Sequence, residues 1–242
     1  MPLTTSNPIT EIPPFPQVAI RLANLLGNDN YGIPAISDLI NTDVALAGRV
    51  IQCANSPLYA RRATSKTVSQ AVAVIGLAKV KTIAMAAVTR NYLGAVLKLP
   101  EVQACWQHAT ACAVLAEEIG EAWGLEGETC YTAGLLHDLG RLGLAIAQGP
   151  RYAEFLRESV RPVDPLDREQ ELFGIAHTEA GRQLANEWRL PEEIVQAAGR
   201  HHDVLDGTQV DGLLATQAAC RLATAFGYSS TKAPAPEPEA VL

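Results

Sequence analysis

The sequence predicts an all-α protein built as two helical lobes. Apolar residues recur at helical spacing along almost the whole chain, and no run alternates polar with β-branched residues as a half-buried strand would. Gly, Pro, Ser and Asp punctuate this pattern at helix-length intervals. With 242 residues, 48% of them apolar, the chain is long enough to bury one large core or two small ones.

The first 16 residues carry five prolines, so residues 1–12 read as an irregular arm, with the domain starting near Pro13. Ser37-Asp38 then precede Leu39-Ile40, and Ser69 precedes a run from Ala71 to Ile75 that Gly76 stops, which are helix start and stop signals. Pro100 closes this first lobe, residues 13–99. Asn55-Ser56-Pro57 reads as a helix stop and turn, because Asn and Ser satisfy local backbone groups and Pro57 forbids further helix. The second lobe, 100–227, shows longer amphipathic segments at roughly 101–123, 128–139, 168–188, 191–202 and 211–227. From Ser229 to Leu242 the Pro, Ala and Glu bias is that of a disordered tail.

A formal charge of -7 and a pI near 5.3 exclude the broad basic footprint on which nucleic-acid affinity depends. Arg61-Arg62 is a short basic pair on a solvated loop, and Glu117-Glu118 and Glu192-Glu193 read as solvated helix surface. No stretch approaches the roughly 20 apolar residues of a bilayer span, and the opening residues lack the pattern of a signal peptide, so a cytoplasmic protein without membrane contact is expected. The five cysteines contain no CxxC pair and are odd in number, which argues against a disulfide framework and a thiolate zinc knuckle; they read as small buried hydrophobes. No Gly-rich loop has the phosphate-cradling pattern of nucleotide kinases or dinucleotide dehydrogenases.

All five histidines, His108, His137, His177, His201 and His202, fall within a window of about 95 residues in the second lobe. His108 shares a helical stripe with Cys112, Leu115 and Ile119, and His177 shares one with Gly181, Leu184 and Trp188, so both imidazoles face the core at the first turn of a helix. His137 ends an apolar segment and is followed at once by Asp138, with Gly140 placed to stop the helix. Each histidine alone fits a hydrogen-bonded core residue. Together, buried imidazoles and a carboxylate need either a dense hydrogen-bond network or a metal ion, and this donor set suits iron, manganese, zinc or similar divalent ions.

The segment Gly134-Leu135-Leu136-His137-Asp138-Leu139-Gly140 resembles the central motif of the HD superfamily. Trp106-Gln107-His108 is similar to that superfamily's upstream ligand histidine. Glu171 to His177, followed by Gly181, Trp188, Leu190-Pro191 and His201-His202, resembles the HDOD pattern, as do Asp43 to Ala47, Ala54 to Tyr59 and Ala71 to Gly76 in the first lobe. The resemblance runs from about Pro13 to Gly227 and implies an HD-type helical bundle in the second lobe. It implies that His108, His137, Asp138, His177, His201 and His202 stand at metal-ligand positions of the related HD-GYP phosphodiesterases, which hydrolyse cyclic dinucleotides. Three positions depart from that pattern: the residues after His202 read Asp203-Val204-Leu205-Asp206-Gly207-Thr208, without Gly-Tyr-Pro; Arg141 stands where a Lys often follows; and Cys220 stands where a metal-binding Asp is expected.

Two functions are therefore expected. In one, the chain is an HDOD-type bacterial signalling module that binds signalling proteins and keeps a His/Asp site for one or two divalent ions. In the other, it is a metal-dependent phosphohydrolase acting on a nucleotide or cyclic dinucleotide, with Asp138 and Arg141 in catalytic roles. In that second case Arg141 grips a substrate phosphate; otherwise it is an exposed helix-end cation. Glu171 is a candidate for orienting a ligand histidine.

Overall fold

The computed structural model describes residues 8–25, 31–59, 64–158, 165–204 and 209–231. Arg61-Arg62, most of the expected tail, the first part of the arm and the segment from Leu205 to Thr208 lie outside the described residues. Every regular element among those described is helical. The all-α reading holds. The chain divides into two compact units, 15–92 and 1–14 with 93–242, so the boundary falls after Tyr92 rather than at Leu99.

The smaller unit contains α1 (Gln17–Ala23), α2 (Ile33–Asn41), α3 (Val44–Ala54), α4 (Val68–Ile75) and α5, which runs from Leu77 to its end at Leu93. Asp43 and Thr67 accept the backbone N–H groups of Leu46 and Gln70, capping α3 and α4. Asn55 caps the end of α3 and bonds the backbone of Ser65 through both side-chain atoms, at 2.9 and 2.7 Å. The turn expected at Asn55 is thus also a staple to the segment leading into α4. Ser37 lies inside α2 and is buried, rather than preceding a helix, and its hydroxyl meets Ser69 at 3.2 Å. No single helix among the described residues is long and apolar enough to cross a membrane; the helical segments Val68–Ile75 and Leu77–Lys98 reach that length and apolarity only together, and they are bent by 119°.

The larger unit is centred on α6 (Pro100–Ala122), with α7 (Gly127–Leu136) and α12 (Gly212–Ala225) packed along it, and α8 (Leu139–Glu158), α9 (Pro165–Phe173), α10 (His177–Glu187) and α11 (Glu192–Arg200) completing the bundle. Pro100, read as a stop, takes the first turn of α6, where its missing N–H costs nothing. Asp211 caps α12 through Leu214 N–H at 2.9 Å. Three readings need correction. The arm is not wholly free, because Pro8–Glu11 forms a 3-10 turn and buried Ile9 and Ile12 belong to the larger unit, Ile12 packing where a Cβ on Gly143 would meet it at 2.9 Å. The expected helix over 168–188 breaks at Gly174, whose φ of 76° suits glycine. Glu117 is buried, not solvated, whereas Glu118 is exposed.

Gly140 is the most informative correction. It does not stop a helix; it lies in the first turn of α8, where a Cβ would overlap the carbonyl oxygen of His177 and sit 2.5 Å from the amide nitrogen of Gly181. On α7, a Cβ at Gly134 would sit 2.8 Å from the carbonyl oxygen of Cys112 on α6. The two glycines let α7 lie against α6 and α8 against α10, so the 137–138 turn between them is held among three helices. Gly140→Ala should therefore lower unfolding free energy by at least about 3 kcal/mol, since the clash is with backbone that cannot rotate away. Gly48→Ala, on an exposed helical face with open space around its Cα, should raise it by about 0.5 kcal/mol. Urea denaturation of both variants checks the pair.

Candidate metal centre

The helices deliver the histidines from separate directions. His108 sits in the third turn of α6, not the first as expected, with Cys112 one turn further on. His137 caps α7 and Asp138 follows it; His177 opens α10; His201 caps α11, and His202 comes next. Four histidines, His108, His137, His177 and His201, are buried together with Asp138, whereas His202 is exposed at the edge. Ring centroids follow one another at 5.2 Å from His108 to His137, 4.8 Å from His137 to His201 and 5.3 Å from His201 to His177. Of the residues expected to act together, all but His202 thus line one buried wall.

Carbonyl oxygens fix the orientation of three rings. Nδ1 of His108 meets the carbonyl of Tyr228 at 2.6 Å, Nδ1 of His137 that of Gly134 at 2.7 Å, and Nδ1 of His201 that of Ala197 at 3.0 Å. Each arrangement turns Nε2 inward, the second-sphere pattern that commonly orients metal-binding imidazoles. The fourth ring is oriented by a carboxylate: Glu169 accepts from both the backbone N–H of His177, at 2.7 Å, and Nδ1, at 2.6 Å. Sequence spacing pointed to Glu171 for this role. Glu171 instead lies on the surface, paired with Arg168 at 3.0 Å, because the break at Gly174 turns the opposite face of α9 towards His177.

Arg141 is neither an exposed helix-end cation nor a free phosphate grip. It is only 3% exposed, and its guanidinium donates to Asp138 Oδ1 at 3.2 Å, to Glu169 Oε1 at 3.5 Å and to Nε2 of His177 at 3.2 Å. Tyr152 completes this network by donating to Glu169 Oε1 at 2.7 Å. Burial disfavours the ionised carboxylate of Asp138, but Arg141 and then His137 outweigh it and hold the carboxyl well below its usual range. Burial likewise opposes the Glu169 charge, yet His177 and Arg141 carry its pKa down to about 2. For His177, burial and the Arg141 charge together push the pKa down, so its ring is neutral and can accept from the guanidinium. For His137, burial opposes the imidazolium but Asp138 more than compensates, raising the pKa to about 9.

The other end of the wall is different. Nε2 of His108 faces the thiols of Cys112 and Cys220, both at 3.4 Å, and the ligand atoms of His108, Cys112, His137 and Cys220 all lie within 4.8 Å of one another. Nε2 of His137 is buried and meets no hydrogen-bonding partner among the described residues; Asp138 Oδ2 is 3.7 Å away. His137 also forms a group with Asp138 and His201, and His177 one with His201 and His202. Cys112 and Cys220 are thus not the indifferent apolar fillers expected. The signals were in the sequence: Cys112 lies on the stripe of His108, and Cys220 stands at the position where an Asp was expected. An orphaned imidazole nitrogen among convergent N, O and S donors suits a divalent cation.

A helical bundle with a His-Asp turn between two helices is the arrangement of the HD superfamily. The HDOD domain profile matches residues 12–204, and the chain belongs to that family. Among solved structures it is similar to an HDOD domain protein of unknown function from Geobacter sulfurreducens, at 26% identity and a TM-score of 0.77, covering 96% of this chain and 79% of that one. A protein from Marinobacter aquaeolei provisionally assigned to signal transduction is 25% identical with a TM-score of 0.73, over 96% of this chain and 53% of that one. An uncharacterized protein of Treponema pallidum is 24% identical over 199 residues; the match takes in 81% of this chain and 38% of that protein's length.

Removing Glu169 strips a buried guanidinium and a ligand-oriented imidazole of their partner at once. Glu169→Ala should destabilise the protein by about 3–5 kcal/mol, and Glu171→Ala by no more than about 0.5 kcal/mol, in parallel denaturation curves. Because the Glu169 pKa is depressed, its contribution is present above about pH 4.5 and is lost as the pH falls towards about 2, so the two curves should converge under acid conditions.

Proposed function

We propose that the chain is a bacterial signalling module of the HDOD type that acts by binding partner proteins, and that its buried cluster takes a divalent ion without turning over a phosphoester. The observation that carries this reading is Arg141. Its guanidinium already neutralises Asp138 and Glu169 and occupies the acceptor nitrogen of His177, so the carboxylate that a hydrolytic centre would use is committed to an internal cation. A substrate phosphate could recruit Arg141 only by stripping two buried carboxylates of their partner, which is costly. The resemblance of its fold to a protein assigned to signal transduction supports the same reading. A cytoplasmic location and partners that are proteins rather than nucleic acid fit the acidic composition.

His137, Asp138 and His201, whose donor atoms all lie within 4.8 Å of one another, are the residues of the expected set that would hold an ion through the His/Asp pattern alone. When bound, such an ion supplies positive charge and, in phosphohydrolases, a water acidified from a pKa of 15.7 towards about 7. The phosphohydrolase reading keeps one specific support: exposed His202 lies beside His201 and His177, with ring centroids at 4.5 and 5.0 Å, which gives solvent one approach to the wall.

Incubating untagged protein, supplied with manganese, iron or zinc, with cyclic dinucleotides and simple phosphomonoesters separates the two. Rates should be indistinguishable from those of Asp138→Asn under each condition. Turnover well above that variant, with any ion, would replace the regulatory reading by the enzymatic one.

A further inference from the structure

The donor wall is chemically two sites, and the division follows the charges. At the His177 end, oxygen and nitrogen donors are saturated by Arg141, which contributes a fixed cation. At the His108 end, among the described residues, no arginine or lysine bonds to any of the four donors, two of which are sulfur. We propose that His108, Cys112, His137 and Cys220 form a four-coordinate site for a soft divalent ion, zinc, through Nε2 of both histidines and Sγ of both cysteines. This rests on the metal-binding half of the reading above and goes beyond it by assigning donors that the His/Asp pattern does not contain.

The geometry can be tested against the ion's own dimensions. Zinc lies about 2.3 Å from thiolate sulfur and about 2.0–2.1 Å from imidazole nitrogen in tetrahedral sites, which sets each N···S edge at about 3.5 Å. Two of the four N···S edges, from His108 Nε2 to Cys112 Sγ and to Cys220 Sγ, are 3.4 Å. The remaining donor pairs fall inside the same 4.8 Å limit. The ring orientations are also those required, since the Tyr228 and Gly134 carbonyls take the Nδ1 atoms and leave each Nε2 facing inward. His137 Nε2 is buried with no hydrogen bond of ordinary length among the described residues, Asp138 Oδ2 standing 3.7 Å away and the Cys220 thiol beside it.

The backbone makes the site as rigid as it is close. Cys112 and His108 are one turn apart on α6, and the Gly134 contact seats α7 directly on the carbonyl of Cys112. Cys220 arrives from α12, which packs on both α6 and α7. Coordination requires both sulfurs as thiolates and both imidazoles neutral, so the protons carried on those sulfurs and on His137 Nε2 would pass to solvent, leaving two thiolates that balance the charge of the ion. A closed set of four protein donors leaves no open position for substrate, which is the structural rather than the catalytic pattern for zinc.

Full-length protein purified without a polyhistidine tag or chelator is assayed for zinc by mass spectrometry and then, after exchange, for cobalt absorption. About one equivalent of zinc is expected, with an intense sulfur-to-cobalt charge-transfer band in the wild type. Cys112→Ser and Cys220→Ser should each weaken binding by at least the roughly 10–100-fold that loss of an outer-sphere partner costs, and the double variant should lose the band. His202→Ala, at the exposed edge of the wall, should retain both ion and band. Cys220→Asp should keep the ion with a weakened band, which separates donor chemistry from folding if the serine variants prove unstable. A bound ion with no sulfur band in the wild type, lost in His177→Ala, would overturn this donor assignment and leave metal binding standing. Wild-type protein that takes up neither ion would overturn both, while phosphoester turnover would strike only the regulatory reading.

Discussion

The close passage of α8 over α10 at Gly140 is the constraint on which the larger unit's chemistry depends. Only a residue without a Cβ lets the first turn of α8 approach the carbonyl of His177. That approach fixes Asp138, two residues upstream, beside His177 and His201, at 3.5 and 3.4 Å from their Nε2 atoms. It also buries Arg141, one residue downstream, in the same space. Gly134 does the corresponding work on the other side of the turn, bringing His137 against α6 and Cys112. The His-Asp turn is therefore not a flexible loop carrying reactive groups; it is clamped by two backbone contacts that tolerate no side chain.

Once Arg141 is buried there, its charge organises everything around it. An isolated guanidinium in such surroundings would be prohibitively costly, so its stability requires Asp138 and Glu169 to stay ionised and His177 to stay neutral. The same demand explains the placement of Tyr152, which occupies a remaining lone pair on Glu169. Buried ion networks of this kind contribute little net stability compared with apolar packing, but each member is expensive to remove singly. Their effect is to define one arrangement of α8, α9 and α10, because no partner can leave without stranding another.

How much of this was legible in the sequence depends on whether the signal was local. Helix class, α6, α7, α11 and α12, and the gathering of His108, His137, Asp138, His177 and His201 followed from periodicity and from the resemblance, because those signals repeat along the chain, whereas α8 was not read and the segment 168–188 divides into α9 and α10. Gly140 was legible as important but misread, since a glycine after an apolar helix looks the same whether it ends that helix or admits a neighbour. Glu169 was missed in favour of Glu171 because the choice turns on where α9 breaks, and Gly174 alone does not reveal which face then turns inward. The exposure of Arg141 was likewise a tertiary fact: its two carboxylate partners lie 3 and 28 residues away. Cysteine spacing without CxxC gave no sign that Cys112 and Cys220 would face the same imidazole, because the two sulfurs come from helices more than 100 residues apart and only the fold brings them together.

The replacement of an expected aspartate by Cys220 is best understood together with Arg141 rather than alone. A carboxylate at position 220 would extend the oxygen-rich set towards His108 and favour hard, open coordination, the kind suited to polarising a phosphate. A thiol there, facing a second thiol on α6, makes that end soft and closed instead. At the same time Arg141 supplies at the His177 end the positive charge that a second ion would otherwise bring. Both residues act in one direction: each gives the donors around it a partner from within the protein. On the reading proposed above, the donors at the His108 end then tie helices together: His108 and Cys112 on α6, His137 at the end of α7 and Cys220 on α12.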